Sequence, residues 1–148
     1  MKQESDFKPT KGYEVENNND GSCDVILYDL DSIEEETTQD EEGNEKTTYK
    51  YYAFRIKLEY SENVSDYIEE NYETLLNDAK EHDRNIHAKA IREKRDKLLT
   101  NSDWTQANDT ALSSEMVEAY RVYRQALRDI TKQEEFPYIV IWPEEPKK

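Results

Sequence analysis

The side chains most often used in catalysis and metal binding are sparse or poorly spaced in this chain. The two histidines, His82 and His87, are five residues apart in a segment with helical periodicity, so they point in different directions and form a poor ligand pair. No serine lies in a nucleophile-elbow sequence, and three glycines are too few for a phosphate-binding loop. The many carboxylates lack an apolar pocket that would shift their pKa values. We therefore expect no enzymatic activity, no cofactor and no metal ion.

Three arginines are better placed to act, through binding. Arg121, Arg124 and Arg128 follow the i, i+3, i+7 spacing of one helical strip, where like charges repel by about a few tenths of a kcal/mol per pair. This repulsion is offset in one of two ways. Either Asp103 and Asp109 pair with the arginines within the chain, which we favour, or an acidic partner does so.

A tryptophan lies in the polar stretch NSDWTQANDTALSSE. Asp103 is predicted to form an Asx turn by accepting a hydrogen bond from the N–H of Thr105, which would fix the orientation of the Trp104 ring. Trp142, followed by Pro143, is placed to fix the C-terminal segment in the same way. Two roles stay open for both indoles: they anchor a small core, or they contact a partner.

The N-terminal part has the pattern of an antiparallel sheet. Residues 1–11 are polar and predicted to be a flexible arm, and the segments GYEVEN and CDVILYDLDSI are predicted strands joined by a turn at Asp20-Gly21. The segment YYAFRIKLEY alternates, with an apolar face of Tyr52, Phe54, Ile56, Leu58 and Tyr60 and a polar face of Arg55, Lys57 and Glu59. The acidic stretch EEETTQDEEGNEKTT between the last two strands indicates a long solvated hairpin tip that turns near Gly43-Asn44.

From Val64 onward the apolar period changes to that of a helix. One stripe contains Val64, Ile68, Tyr72, Leu75, Ala79 and Ile86, whereas Ile91 and Leu98 lie roughly 100° further round. Either the helix breaks within EHDRNIH, or one long helix buries two different faces, and the second interpretation is slightly favoured.

A second helix is predicted from about Ser114 to Asp129. Ser113 or Ser114 is its N-cap, and its apolar stripe contains Met116, Tyr120, Tyr123, Leu127 and Ile130. The final motif, FPYIVIWPEEP, is predicted to be an extended segment that lies on the helical hairpin.

These elements predict an α+β fold. A small antiparallel β-meander of about three strands is followed by a long helix and by a helical hairpin with an extended C-terminal segment. The predicted parts are an acidic β domain with its arm at residues 1–62, a connecting helix at 63–91, and a hairpin domain at 92–148.

Composition and charge limit the function classes further. Only 34% of the 148 residues are hydrophobic and the net charge is −15. Residues 1–83 contain eight Lys and Arg against twenty-four Asp and Glu, whereas residues 84–148 contain twelve against eleven. Nucleic acid and anionic membrane are therefore not expected partners, since both require a cationic face. The acidic half favours solubility or a basic partner, and a DNA mimic is disfavoured because the charge is concentrated in a hairpin tip.

Cellular location follows from the cysteine content and the hydropathy pattern. Cys23 is the only cysteine, so no internal disulfide forms, and the first residues lack a signal-peptide core. No apolar run approaches the ~20 residues of a membrane span. We expect a protein of a reducing cytoplasm, and its oligomeric state is left open.

Three motifs in the last third of the chain occur in a specific order: KRDKLLTNSDWTQANDTALS, YRVYRQALRDI and FPYIVIWPEEP. Over about residues 92–146 this order resembles the C-terminal domain of the phage tail assembly chaperone family and, more loosely, tail fibre assembly proteins of tailed phages. Tyr120 departs from the family pattern, where tryptophan is expected. The matching positions are Arg95, Leu98, Leu99, Asp103, Trp104, Thr105, Asp109, Tyr123, Arg124, Leu127, Arg128, Asp129, Phe136, Pro137, Trp142, Pro143 and Pro146.

The resemblance implies a role in building a bacteriophage tail. We expect an assembly chaperone that acts in the bacterial host cytoplasm and binds a tail or tail-fibre protein through its C-terminal helical hairpin. The alternative is a structural component of the baseplate or of the tail-fibre attachment that stays in the virion. The candidate partner-binding residues are Asp103, Trp104, Thr105, Tyr120, Tyr123, Arg124, Leu127, Arg128, Phe136 and Trp142.

Overall fold

The computed structural model describes residues 2–40 and 43–147 and has the predicted α+β architecture. The chain divides into two compact units, the first ending at Asp83 and the second beginning at Arg84. The strands are β1 (Lys2–Ser5), β2 (Tyr13–Asn17), β3 (Ser22–Gln39) and β4 (Glu45–Glu59). The helices are α1 (Val64–Asn101) and α2 (Ser114–Arg128), with 3₁₀ turns at Asp103–Gln106 and Asp129–Lys132.

The described residues of the first unit form an antiparallel sheet of four strands in the order β1-β4-β3-β2. The extra strand is β1, in the segment that was predicted to be a flexible arm, so that prediction is wrong for Lys2–Ser5. Its four residues carry no apolar alternation, and the strand forms by pairing with β4. Lys2 contacts two strands, since its Nζ lies 6.0 Å from the Tyr52 ring of β4 and 2.7 Å from a Glu34 carboxylate oxygen of β3.

Both predicted turns occur where glycine takes a positive φ. Gly21 has φ 84°, and the neighbouring Asp20 carboxylate accepts the Ser22 N–H at 2.9 Å. Gly43 has φ 82° in the long hairpin between β3 and β4. Glu41 and Glu42 of the predicted acidic tip lie outside the described residues.

A bulge interrupts the β3–β4 ladder. The register shifts between Asp29, which pairs with Tyr52, and Glu34, which pairs with Lys50. The Ser32 hydroxyl donates to the Asp29 carbonyl at 2.6 Å and accepts the Tyr52 N–H at 2.9 Å. This one side chain therefore satisfies backbone groups that the bulge removes from the ladder.

The core of the first unit lies between one face of the sheet and the first part of α1. Four of the five predicted apolar positions of β4 face this core, whereas Tyr60 is exposed, so the prediction fails there. The buried residues are Tyr13, Cys23, Val25, Leu27, Phe54, Val64, Ile68, Leu76 and Ala79. Close packing extends to the strand connection, since a Cβ on Gly12 would lie 2.6 Å from the Tyr72 ring.

The opposite face of the sheet is only partly solvated, which corrects the expectation of a wholly polar face. Tyr28, Tyr51 and Ala53 are buried there, with the two tyrosine rings edge to face at 5.7 Å. The connection from β1 to β2 must cross the sheet because these strands lie at opposite edges. Lys8 of this connection lies 5.3 Å from the Tyr49 ring, which packs against the same cluster, and Pro9 is buried.

Helix α1 is continuous over 38 residues, which confirms the interpretation of one long helix. Its first part belongs to the core of the first unit, and Leu98 and Leu99 near its end pack in the second unit. The placement of Ile86 on the apolar stripe is wrong. Ile86 is 55% exposed, and the buried position just after the unit boundary is Ala88.

Candidate functional site

The second unit is built around the apolar stripe that the sequence predicts for α2. Tyr120, Tyr123 and Leu127 are buried, and Ile130 just beyond the helix is fully buried. Ser113 is the N-cap, since its hydroxyl accepts the Met116 N–H at 3.3 Å. Partly buried residues that pack against this stripe are Leu98, Leu99, Leu112, Met116 and Trp142.

A buried guanidinium joins α2 to the end of α1. Arg124 is only 8% exposed. Its Nη1 donates to the Leu99 carbonyl at 2.6 Å and to the Ser102 hydroxyl at 2.8 Å, and its Nη2 donates to Asp103 Oδ1 at 2.6 Å. We call Arg124, Leu99, Ser102 and Asp103 the arginine cluster.

The arginine cluster supplies a positive charge and hydrogen-bond donors to the C-terminus of α1. A helix ends with carbonyl groups that have no intrahelical partner and with a partial negative charge, and α1 has no basic residue in its last turn. Arg124 brings a cation to that end from α2. The Ser102 hydroxyl donates to the Leu98 carbonyl at 2.8 Å, so the end of the helix is satisfied by side chains from two elements.

Two of the three arginines of the strip pair with carboxylates within the chain, and one of these pairs is the predicted one. Arg124 pairs with Asp103, which confirms one predicted pair. Arg121 pairs instead with Glu118, one turn earlier on α2, at 2.7 Å. This pairing holds the pKa of the Glu118 carboxyl below its usual value. Within the described residues Asp109 forms no ion pair, so its predicted role is wrong.

The turn between the two helices is held by other hydrogen bonds than those of the predicted Asx turn. The Asp103 carboxylate binds Arg124, and the Thr105 N–H donates to the Ser102 carbonyl at 3.2 Å. Thr105 is fully buried, and its hydroxyl donates to the same carbonyl at 2.7 Å. The segment Asp103–Gln106 is therefore a 3₁₀ turn fixed from within the unit.

The Trp104 side chain packs partly within the second unit and is partly exposed to solvent. Its ring centroid lies 6.1 Å from that of Tyr120, yet 47% of the residue is exposed. The Tyr120 hydroxyl donates to Glu145 Oε1 at 3.2 Å and to the Pro146 carbonyl at 3.3 Å. Burial and the neighbouring Glu145 carboxylate raise the pKa of Tyr120. Trp104, Tyr120 and residues 144–147 line an open depression of about 660 Å³.

The C-terminal segment begins with turns, and residues 140–147 have no regular secondary structure. Residues 134–138 form turns in which the Glu135 carbonyl accepts the N–H groups of Tyr138 and Ile139, at 2.9 and 3.1 Å. The peptide bond between Phe136 and Pro137 is cis, and Pro137 is fully buried. The prediction of extended chain is therefore wrong for this first part.

Two cations of α1 lie over aromatic rings of the C-terminal segment. Lys94 Nζ is 4.2 Å from the centroid of the Trp142 ring, and the Arg92 guanidinium carbon is 5.7 Å from that of Phe136. Such contacts contribute roughly 0.5–2 kcal/mol, according to how far water is excluded. Phe136 and Trp142 are both partly buried, so they attach the segment to α1.

The same segment displays apolar side chains to solvent. Ile139 is 58% exposed and Ile141 is 79% exposed. The Gln133 side chain holds the backbone of Ile141, accepting its N–H and donating to its carbonyl, both at 2.8 Å. Gln133, Glu134, Glu135, Ile139 and Ile141 line an open groove of about 680 Å³, which we call the tail groove.

The ten candidate residues from the sequence are brought into one unit but differ in accessibility. Asp103, Trp104 and Arg128 are exposed, and Phe136 and Trp142 are partly buried. Buried ones are Thr105, Tyr120, Tyr123, Arg124 and Leu127. The sequence analysis did not identify Ser102, which directly follows the end of α1. It also did not identify the tail groove, because no sequence pattern marks Gln133 as a residue that binds the backbone.

Neither metal binding nor membrane crossing is indicated by the part of the chain that the structure describes. Residues 2–40 and 43–147 contain no cluster of histidine, cysteine or carboxylate side chains that could hold a metal ion. None of the helices in these residues is both long and apolar enough to span a membrane.

Residues 88–147 match the family model described as phage tail assembly chaperone protein. The match lies within the second unit and includes all ten candidate residues, so the resemblance stated from the three motifs is confirmed. The first unit lies outside the matched region. No curated protein and no solved structure shows significant similarity to the chain.

Proposed function

We propose that the protein is a phage tail assembly chaperone that binds an unassembled tail or tail-fibre protein through its second unit, in the cytoplasm of the bacterial host. The observation that carries this proposal is the family match, which covers the second unit and not the first. The chemistry is non-covalent: the chaperone covers apolar surface on its partner until assembly and needs no cofactor.

The distribution of exposed apolar side chains supports this choice of surface. Among the described residues, four large apolar side chains are exposed in the first unit and six in the shorter second unit. Apolar side chains held in fixed positions on a surface are typical of protein-binding sites. The six are Ile86, Trp104, Val122, Tyr138, Ile139 and Ile141.

The buried candidate residues hold the exposed Trp104 side chain in position. Arg124 and Thr105 fix the turn that carries Trp104, and Tyr120 supports the indole from α2. A side chain that is already ordered loses less conformational entropy when a partner binds, so a rigid support increases affinity. In this proposal Trp104 contacts the tail protein directly, whereas Arg124 and Thr105 position it.

Affinity capture with a tagged full-length chain tests the proposal. The chain is co-expressed with each tail and tail-fibre protein of the same phage genome. We expect one of these proteins to co-purify, and we expect Trp104→Ala to weaken its binding at least ~tenfold, the usual effect of losing an aromatic anchor. The matched control is Tyr67→Ala, which removes an aromatic ring of similar exposure from the first unit.

Two results contradict the proposal. One is that no tail or tail-fibre protein binds the full chain. The other is that Trp104→Ala and Tyr67→Ala have equal effects while both variants keep the circular dichroism of the folded protein.

A structural role in the virion is the second candidate. Helix α1 contributes residues to two separate cores, one in each unit. The first unit also has a surface of its own, and the family match does not include it. A baseplate or tail-fibre attachment component could use the two units for two neighbours. Mass spectrometry of purified virions separates the candidates: stoichiometric presence supports this second role, and absence from finished particles supports the chaperone.

A further inference from the structure

We propose that the tail groove is a binding site for an extended segment of the tail protein in which apolar residues are combined with lysine or arginine. This inference rests on the proposed function and deepens it by naming the chemistry of the bound segment. It uses a part of the second unit that is distinct from the depression beside Trp104.

The apolar half of the site is a short row of two isoleucine side chains, Ile139 and Ile141. Ile139 and Ile141 are exposed, whereas Val140 and Trp142 between and after them are partly buried. Both isoleucines line the tail groove, so their side chains face one site, although Ile139 lies in a bend and the preceding Tyr138 is also exposed. The row therefore suits an extended segment whose own apolar side chains recur at every second residue.

The backbone of this row is held in place before any partner binds. The Gln133 amide makes both hydrogen bonds of Ile141, the same pair of bonds that one residue exchanges with its neighbour in an antiparallel ladder. The Glu135 carbonyl holds the N–H of Ile139 at 3.1 Å. Because these bonds use backbone groups, the isoleucine side chains stay exposed.

The charged half of the site is formed by Glu134 and Glu135. Both are exposed and line the groove together with the isoleucines. Neither carboxylate has a cationic partner within the described residues, whereas Asp129 of the preceding 3₁₀ turn pairs with Lys132 at 2.6 Å. Two unpaired carboxylates beside apolar side chains complement a segment that carries both apolar and cationic side chains.

Fluorescence anisotropy with the full chain tests this specificity. Three labelled peptides serve as probes: one alternates valine and lysine, the second alternates valine and glutamate, and the third alternates serine and lysine. At physiological salt we expect the valine–lysine peptide to bind at least ~tenfold tighter than either of the others. Ile141→Ser is expected to reduce binding of that peptide about tenfold, because it removes the most exposed apolar contact.

Charge reversal in the groove separates site binding from non-specific attraction to an acidic protein. The double change Glu134→Lys and Glu135→Lys should reverse the preference toward the valine–glutamate peptide. The control is Glu62→Lys with Glu81→Lys, which changes the net charge equally at exposed positions of the first unit. This control should keep the preference for lysine.

The outcomes distinguish this inference from the proposed function. If both double changes alter the preference equally, or neither does, the groove is not the site, even where a tail protein still co-purifies. If the groove variant reverses the preference but no tail protein is ever captured, the groove recognises such segments and the chaperone assignment fails.

Discussion

The two units of the molecule share one helix but are stabilised in different ways. The first unit is strongly acidic and consists of a sheet whose ladder and apolar core follow from alternating side chains. The second is nearly neutral and has a small aromatic and leucine core joined by a buried arginine that binds the end of a neighbouring helix. The family match lies within the second unit. The comparison shows that the matched region has the smaller core and depends on polar contacts to a buried arginine.

The largest effect is expected from removing the buried guanidinium. Arg124→Met deletes the hydrogen bonds to Leu99, Ser102 and Asp103, and it should destabilise the second unit by about 3 kcal/mol, since hydrogen bonds to charged groups in buried sites contribute the most. Both tryptophans lie in this unit, so denaturation followed by indole fluorescence reports on it.

The control for this change is Arg121→Met, which removes an exposed guanidinium that pairs with Glu118. Its effect should stay below about 1 kcal/mol. Equal destabilisation by the two substitutions would contradict the role assigned to the arginine cluster.

A second prediction concerns packing in the first unit. Gly12→Ala places a methyl group against the Tyr72 ring, which is held by a hydrogen bond from its hydroxyl to the Tyr28 carbonyl. Overpacking of this kind costs about 1–3 kcal/mol. Hydrogen exchange should show weaker protection in β3 and β4, while the indole fluorescence transition that reports on the second unit should move less. An equal shift of both reporters would show that the two units unfold as one.

The predictive power of the sequence differed between the two units for physical reasons. Periodicity predicted β3, β4, α1 and α2 because their apolar residues recur at the spacing of the element. It missed β1, where four polar residues form a strand only because β4 is available to pair. It also missed the burial of Tyr28 and Tyr51 on the sheet face opposite α1. These tyrosines are covered by the connection from β1 to β2, and periodicity does not indicate where such a connection crosses the sheet.

In the candidate site, the Arg124–Asp103 pair was predictable because arginines on one helical strip repel each other and need carboxylates nearby, and Asp103 lies in the preceding linker. The bonds from Arg124 to the Leu99 carbonyl and to Ser102 were not, since a backbone carbonyl leaves no signal in the residue types. The tail groove was missed for the same reason: its geometry depends on a glutamine amide that binds backbone groups eight residues further along.

A smaller effect is expected at the N-terminus of α2. Ser113→Ala removes the hydroxyl that accepts the Met116 N–H and should destabilise the second unit by about 1 kcal/mol. Ser113→Asp should restore most of this stability, because a carboxylate caps the same N–H group. Indole fluorescence during urea denaturation measures both variants. If the aspartate variant were no more stable than the alanine variant, the cap would not be the cause.

The last effect appears only in alkaline solution and belongs to the first unit. Burial and the Glu14 carboxylate raise the pKa of Tyr28 to about 12, from an ordinary value of 10.0. Because the pKa is higher in the folded state, the stabilisation is complete below pH 10 and is lost as the pH rises toward 12. Tyr28→Phe should therefore flatten the loss of stability between pH 10 and 12. Urea denaturation followed by circular dichroism at each pH measures this slope, and Tyr67→Phe, at an exposed position, should leave it unchanged.

The most direct test of the central claim is hydrogen exchange of the full chain, alone and in complex with the tail or tail-fibre protein that co-purifies with it. The claim is that the second unit carries the partner-binding surface. It predicts new protection in residues 103–106 and 138–142, with the exchange of β2, β3 and β4 unchanged. Protection confined to the sheet of the first unit, with the second unit exchanging as in the free chain, would contradict it.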